Sequence, residues 1–195
     1  MRPCPAPLEE EFTHQAGGGA SDICEHMDLL RELASQCEHV TEMGVRNANG
    51  STIAFLAAQP EVLISWDINL LTVTNRRVES LIYNTGRTSF QPRVGDTLKV
   101  VTEPTDMLFI DTKHTCAQLV GELRRHADPV ENRVRKYLVF HDTALYGSVG
   151  DDGTSPGLRA AIRWFQREHA FPLWQLIEDR QNNNGLVVLK HAYNF

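Results

Sequence analysis

The feature that most constrains the fold is a regular alternation of short apolar runs and amphipathic segments from about residue 39 to the end of the chain. Each parallel strand needs a crossover connection, so this alternation predicts a mainly parallel sheet with helices on both faces. We therefore predict one doubly wound α/β domain over residues 21–195. The predicted strands are 39–45, 62–66, 88–94, 107–110 and 136–140, and the predicted helices are 51–59, 70–83, 117–126 and 156–169.

The two ends of the chain depart from this alternation. Residues 1–20 combine three prolines, an acidic run and three glycines, which is typical of a flexible tail. A helix is predicted to follow from Ser21, with Ser21 or Asp22 as its cap, and Ser155 is predicted to cap the helix at 156–169. Near the C-terminus, apolar runs at 174–178 and 185–191 flank a turn-rich segment and predict an antiparallel hairpin.

Composition narrows the classes of partner. The 195 residues carry a net charge of −6, and a duplex nucleic acid partner would need a basic face, so we expect none. The four cysteines lack metal-ligand spacing and are expected to be reduced thiols of a cytoplasmic protein. No apolar run approaches the length of about 18 residues that a membrane helix requires. The expected partner is a small molecule, and whether the chain forms a homo-oligomer is left open.

The segment 41–52 has the features of a ligand-binding loop. Gly44 and Gly50 let the backbone approach a ligand closely, and Ser51 opens a helix whose free N–H groups favour polar or anionic groups. The dinucleotide pattern G-x-G-x-x-G is not present. Glu42, just before the first glycine, can accept a hydrogen bond from an amino group of a ligand.

Two further acidic residues follow the second and third predicted strands. Asp67 stands where an acidic side chain commonly binds ribose hydroxyls, although it can also cap the next helix. Asp96 stands where it can meet an adenine amino group, and a simple Gly-Asp turn is the alternative.

Acidic residues also follow the fourth and fifth predicted strands. Because neighbouring parallel strands deliver their carboxyl ends to one rim, Asp111, Asp142 and His141 are predicted to hold a divalent metal or to move a proton. Adjacent residues of a strand point to opposite faces, so His141 and Asp142 can share a metal only if the strand has ended there. His141 or His114 can serve as the base. A structural role is left open for each histidine.

Several short motifs stand in order along the chain: Glu42-x-Gly44, Gly50-Ser51-Thr52, Asp67, Gly95-Asp96, Phe109-Ile110-Asp111 with His114, and Phe140-His141-Asp142-Thr143. Taken together, they resemble those of the class I S-adenosylmethionine (SAM)-dependent methyltransferases. The similarity points to the small O-methyltransferase branch that includes the cephalosporin hydroxylase-like and macrolide-sugar methyltransferases. It implies a Rossmann-like seven-stranded sheet with an antiparallel last strand, SAM as cofactor, and Mg²⁺ held by the acids that end the fourth and fifth strands. The cofactor-binding residues implied by the resemblance are Glu42, Gly44, Arg46, Gly50, Ser51, Asp67, Ile68, Asp96 and Asp111.

The functional hypothesis is O-methylation of a small, hydroxylated, sugar-like acceptor, with Asp111, His114 and His141 as catalytic residues. One alternative is a catalytically inactive SAM- or nucleotide-binding module that acts as a partner subunit or sensor. Another is a non-haem iron oxygenase that uses Asp111, His114 and His141 as iron ligands. The alternation of strands and helices argues against this third function. The polar segment 146–157 is either a substrate gate or an ordinary surface loop.

Overall fold

A computed structural model describes residues 3–18, 21–69, 75–128, 133–167 and 173–193. The chain divides into two compact units, Met1–Asp96 and Thr97–Phe195. The prediction of one methyltransferase domain over 21–195 stays a prediction.

The first unit contains three parallel strands and their helices. Strand β1 (His39–Met43) pairs with β2 (Val62–Asp67), and β2 pairs with β3 (Ser89–Val94). The helices among its described residues are α1 (Ala6–Gly17), α2 (Met27–Ala34), α3 (Ser51–Ala58) and α4 (Arg76–Asn84). Every residue of α3 is buried, as expected for an apolar helix inside a parallel α/β unit.

The N-terminal residues 6–17 form helix α1, where the sequence predicts a tail. Pro5 and Pro7 stand at the start of this helix, where the missing N–H of proline costs nothing. Leu8 and Phe12 lie one helical turn apart and are both buried. The prolines therefore start a docked helix instead of excluding one.

The second unit contains the other strands of the sheet. Strand β4 (Thr105–Ile110) pairs in parallel with β5 (Val134–His141), and β5 pairs antiparallel with β7 (Leu186–His191). Strand β6 (Trp174–Arg180) completes the predicted hairpin with β7. The helices are α5 (Cys116–His126) and α6 (Leu158–Phe165). Strand β4 is buried along its whole length, as a central strand of a parallel sheet should be.

The seven described strands form a mixed sheet in the order β3-β2-β1-β4-β5-β7-β6. The predicted α/β class, with a Rossmann-like, mainly parallel, seven-stranded sheet and a terminal antiparallel hairpin, is confirmed. Among the described residues no helix is long and apolar enough to cross a membrane.

Two predicted helix starts are wrong. After a short 3₁₀ turn at Cys24–His26, α2 begins at Met27 rather than at Ser21, and His26 stands before it without a side-chain cap. Ser155 does not cap α6, which begins at Leu158. The N–H groups of Leu158 and Arg159 instead donate to the backbone carbonyls of Tyr146 and Gly147, so the preceding loop satisfies this helix end. The predicted helix positions 70–74 and 168–169 lie outside the described residues.

Candidate functional site

The loop between β1 and α3 has an unusual backbone. Gly44 has a φ of 92° and donates its N–H to the Trp66 carbonyl over 2.8 Å. Arg46 and Ala48 also adopt positive φ, at 49° and 53°. Non-glycine residues rarely occupy this region, so contacts from outside the loop must hold its conformation.

Glu42 lies beneath this loop and is fully buried. Its carboxylate accepts hydrogen bonds from the hydroxyls of Ser51 (2.7 Å), Thr52 (3.0 Å) and Ser65 (2.6 Å). These contacts join β1 to β2 and to the first turn of α3. Glu42 therefore supports the loop from below, and its predicted contact with the methionine part of SAM stays a prediction.

Asp67, at the end of β2, also stabilises the loop. Its Oδ2 accepts from the backbone N–H groups of Val45 (3.0 Å) and Arg46 (3.2 Å), and its Oδ1 accepts from that of Asn69 (2.7 Å). A carboxylate offers about four acceptor positions, so three are engaged. The next residue, Ile68, is 73% exposed, which is unusual for a large apolar side chain.

The other cofactor-binding residues predicted in the first unit lie in the β1–α3 loop, at the start of α3, or just after β2 and β3. The N–H of Gly95 donates to the Asp67 carbonyl over 2.9 Å, which joins the end of β3 to the end of β2 just before Asp96. Asp96 itself is half-buried. Arg46 forms an exposed ion pair with Asp22 at 2.9 Å. The cofactor roles of these residues, and of Gly50 and Ser51, stay predictions.

In the second unit, the ends of β4 and β5 bring four predicted site residues together. Nε2 of His114 lies 3.2 Å from Oδ1 of Asp111 and 2.9 Å from Oδ2 of Asp142. Nδ1 of His141 lies 3.4 Å from Oδ2 of Asp111. We call Asp111, His114, His141 and Asp142 the Asp–His cluster.

Asp142 can join the cluster because β5 ends at His141. Asp142 has a φ of 58°, which turns the chain out of the strand and brings its carboxylate to the same side as the His141 ring. The following loop is held by Arg159, whose Nε donates to the Thr143 carbonyl over 2.8 Å. The strand has therefore ended before Asp142, which is the condition under which His141 and Asp142 can share a metal.

His114 is held by the loop 146–157 as well as by the carboxylates. Its ring stacks on that of Tyr146, with centroids 4.7 Å apart and an interplanar angle of 6°. Its backbone N–H donates to Oδ2 of Asp151 over 3.2 Å, and the N–H of Asp151 donates back to the His114 carbonyl over 3.2 Å. The loop is thus fixed against the cluster; whether it acts as a substrate gate stays a prediction.

The electrostatics of the cluster favour a positive charge between the two aspartates. Burial would raise the pKa of Asp111, but hydrogen bonds from His114 and His141 outweigh it and hold that pKa well below its usual range. Burial would lower the pKa of His114, but hydrogen bonds to Asp111 and Asp142 outweigh it and raise the pKa to about 9. Without a bound cation, the two carboxylates therefore favour the imidazolium form of His114 at neutral pH.

The cluster also has the composition of a metal site. One ligand atom from each of Asp111, His141 and Asp142 can be chosen so that all three lie within 4.8 Å of one another. Oδ1 of Asp142 is buried and accepts no hydrogen bond from the described residues, a state that suits a cation. Two carboxylates and one imidazole fit a divalent ion such as Mn²⁺, and Mg²⁺ would prefer oxygen ligands throughout.

Glu122 of α5 is a fully buried glutamate beside the Asp–His cluster that was not predicted from the sequence. Its Oε1 accepts from the hydroxyls of Thr97 (2.6 Å) and Thr112 (2.7 Å), so it holds the turn between Asp111 and His114. Glu122 also lines a small pocket, together with Lys113, His114, Phe140 and His141 among others. The available signal was a charged residue on the buried face of α5, which also carries Leu119 and Leu123.

Comparison with known proteins identifies the fold. No family model and no curated protein matches this sequence, whereas many solved structures match its fold. The O-methyltransferase from Bacillus cereus, solved with S-adenosylhomocysteine (SAH), is 17% identical with a TM-score of 0.64, over 98% of this chain and 93% of that one. This chain has an O-methyltransferase fold.

Two other solved structures extend the comparison. The SAH-bound methyltransferase of Podospora anserina is 10% identical with a TM-score of 0.65, over 98% of this chain and 90% of that one. The N-terminal domain of EvdMO1, solved in the presence of SAH and D-fucose, is 16% identical with a TM-score of 0.55, over 91% of this chain and 85% of that one. At these identities the similarity establishes the fold and not the activity.

Proposed function

We propose that this protein is a SAM-dependent O-methyltransferase that acts on a small, hydroxylated, sugar-like acceptor with the help of a divalent cation. The observation that carries the proposal is the Asp–His cluster, which combines metal-ligand and proton-accepting side chains after β4 and β5 in a chain with an O-methyltransferase fold. The proposal assigns SAM binding to residues of the first unit and acceptor binding to residues of the second.

Binding of SAM is supported by the features of the β1–α3 loop and by the SAH in the solved structures of similar fold. Asp67 stands at the end of β2 with its carboxylate beside the β1–α3 loop, where a carboxylate oxygen can accept from a ribose hydroxyl. The exposed Ile68 provides an apolar surface for an adenine ring, and Asp96 provides an acceptor for its amino group.

The proposed reaction moves the methyl group of the SAM sulfonium to an acceptor hydroxyl oxygen. The C–S bond breaks, the C–O bond forms, SAH leaves, and the hydroxyl proton must go to a base. Alignment of the oxygen with the methyl group supplies much of the acceleration, because the sulfonium is already reactive. The D-fucose in the EvdMO1 crystals supports a sugar-like acceptor.

We assign Asp111, Asp142 and His141 as the cation ligands and His114 as the proton acceptor, because a bound cation would offset the carboxylate charge that raises the pKa of His114 and would leave its imidazole neutral. The His114 side chain is 22% exposed and can be reached by an acceptor, whereas that of His141 is fully buried. When bound, a divalent cation would orient acceptor hydroxyls and lower the pKa of the one that reacts. The carboxylates of Asp111 and Asp142 also orient the His114 ring through hydrogen bonds to Nε2.

We also infer a cytoplasmic location. All four cysteines lie in the described part of the chain, and none of them forms a disulfide. Free thiols are the usual state of cysteine in a reducing compartment.

The experiment that tests the proposal is a methyl-transfer screen with labelled SAM against deoxyhexoses, hexoses and catechols, with Mn²⁺, with Mg²⁺ and with EDTA. We expect transfer to a sugar, reduced by EDTA and by Asp142→Asn but not by the matched control Asp28→Asn on the exposed face of α2. SAM binding without transfer to any acceptor would support the inactive binding module instead. Full activity in EDTA would show that the reaction needs no divalent cation.

A further inference from the structure

Helix α1 is docked on its own unit by contacts along one face. Leu8 and Phe12 are buried, and the Arg31 guanidinium lies 4.6 Å above the Phe12 ring. Arg31 also forms a bidentate ion pair with Glu9. The position of α1 is therefore fixed by both apolar and charged contacts.

From this helix a chain of polar contacts reaches the β1–α3 loop. Oε1 of Gln15 accepts from the backbone N–H of Gly50 over 2.7 Å, and Nε2 of Gln15 donates to Oε1 of Glu11. Arg77 joins the same network: its Nη2 pairs with Oε1 of Glu11 at 2.9 Å, and its Nε donates to the Ala48 carbonyl over 3.2 Å. Two residues of the loop are thus tied to α1, one directly and one through Arg77.

Ala48 and Gly50, the two loop residues held by these contacts, both have a positive φ. Ala48 has a φ of 53°, and Gly50 has a φ of 52° with a ψ of −104°. A Cβ at position 50 would collide with the Ile23 side chain. Because the loop does not favour this conformation by itself, contacts from a fixed neighbour decide whether it persists.

We propose that Gln15 and Glu11 are positioning residues that hold the β1–α3 loop in its SAM-binding conformation. Gln15 acts directly on Gly50, and Glu11 acts by orienting Gln15 and Arg77. The inference rests on the proposed function insofar as this loop binds SAM. Helix α1 then belongs to the cofactor site, although none of the cofactor-binding residues predicted from the sequence lies in α1.

The experiment measures exchange of the Gly50 amide hydrogen by NMR in full-length Gln15→Ala, Thr13→Ala and the double variant Glu11→Gln/Gln15→Glu, alongside SAH affinity by calorimetry. The double variant exchanges the two side chains, so position 15 keeps an oxygen that accepts from Gly50 and position 11 supplies the amide that donates to position 15. Thr13 lies on the exposed face of α1. We expect Gln15→Ala to accelerate Gly50 exchange by about tenfold and to weaken SAH binding by about three- to tenfold. The double variant should restore most of both, and Thr13→Ala should change neither.

The two measurements separate the inference from the proposed function. Unchanged Gly50 exchange in Gln15→Ala would overturn the positioning role, whatever SAH does. Equal acceleration in Gln15→Ala and in Glu11→Gln/Gln15→Glu would overturn it too, because the hydrogen-bond acceptor would then be irrelevant. If wild-type protein failed to bind SAH while Gly50 exchange followed the expected pattern, the contact would stand and the SAM-binding role assigned to the loop would be wrong.

Discussion

Glu42 and Asp111 are both acidic residues near strand ends, yet their neighbours give them different chemistry. Glu42 is surrounded by the hydroxyls of Ser51, Thr52 and Ser65, which makes it a support for the loop above it. Asp111 faces the rings of His114 and His141, which makes it part of a proton- or cation-binding cluster. Residue type alone does not distinguish these roles, because they depend on what the next strand places opposite each carboxylate.

At the residue scale the ionisation of His114 leads to a prediction about stability and pH. Its pKa is about 6.5 when unfolded and is raised to about 9 by Asp111 and Asp142. The stabilisation is therefore complete below about pH 6.5 and is lost as the pH rises through about 9. We expect wild-type protein in EDTA to lose on the order of 2–3 kcal/mol more unfolding free energy than His114→Gln between about pH 6 and pH 10.

Urea unfolding of both proteins at the two pH values gives this difference directly. Groups that do not contact His114 titrate alike in both proteins, so their contributions cancel. An equal loss of stability in wild-type and His114→Gln would contradict the assignment of an imidazolium between the two aspartates.

Part of the candidate site could be predicted from sequence. The acids and histidines after 107–110 and 136–140 indicated the cluster, because parallel strands end at one rim. The positive φ of Asp142 and the stacking of Tyr146 on His114 could not be predicted, since both depend on how the loop 146–157 folds back. Glu122 was missed because a glutamate within a helix is usually solvated.

At the scale of elements, α1 shows how proline and acidic residues can mislead. Their density at the N-terminus is typical of a tail, but here the prolines start a helix and the acids meet arginines of the same unit. Glu9 pairs with Arg31, and Glu11 pairs with Arg77. These partners are 22 and 66 residues away in the chain, so no local pattern reports them.

The docking of α1 predicts a cost for removing its main apolar contact. Phe12→Ala removes a buried ring that lies under the Arg31 guanidinium, and we expect a loss of about 3 kcal/mol of unfolding free energy. Chemical denaturation of this variant measures the loss. Thr13→Ala, on the exposed face of α1, should stay within about 0.5 kcal/mol of wild type. Equal stability of the two variants would mean that α1 is not docked through Phe12.

The strands were predicted better than the helix starts. Apolar runs identify buried strands because both faces of a parallel strand are covered, and β2, β4 and β5 appear where such runs occur. Helix starts depend on which donors satisfy the first turn. For α6 these partners are the carbonyls of Tyr146 and Gly147, which no residue near Ser155 reveals.

At the scale of the whole molecule, the fold persists at very low sequence identity. The solved structures of similar fold are 10% to 17% identical to this chain and match over most of its length. The alternation of strands and helices is enough to specify such a sheet, while the acceptor depends on a few side chains at strand ends. Fold comparison therefore establishes the architecture of the sheet, and both the methyl donor and the acceptor need a binding experiment.

The measurement that tests the central claim most directly is calorimetric titration of the purified protein with SAH. The proposed function predicts saturable binding at one site per chain, because SAH is the product of every SAM-dependent methyl transfer. Binding should weaken in Asp67→Ala, which removes the proposed ribose acceptor, and should be unchanged in Glu79→Gln on the exposed face of α4. Absence of SAH binding by wild-type protein would contradict the claim.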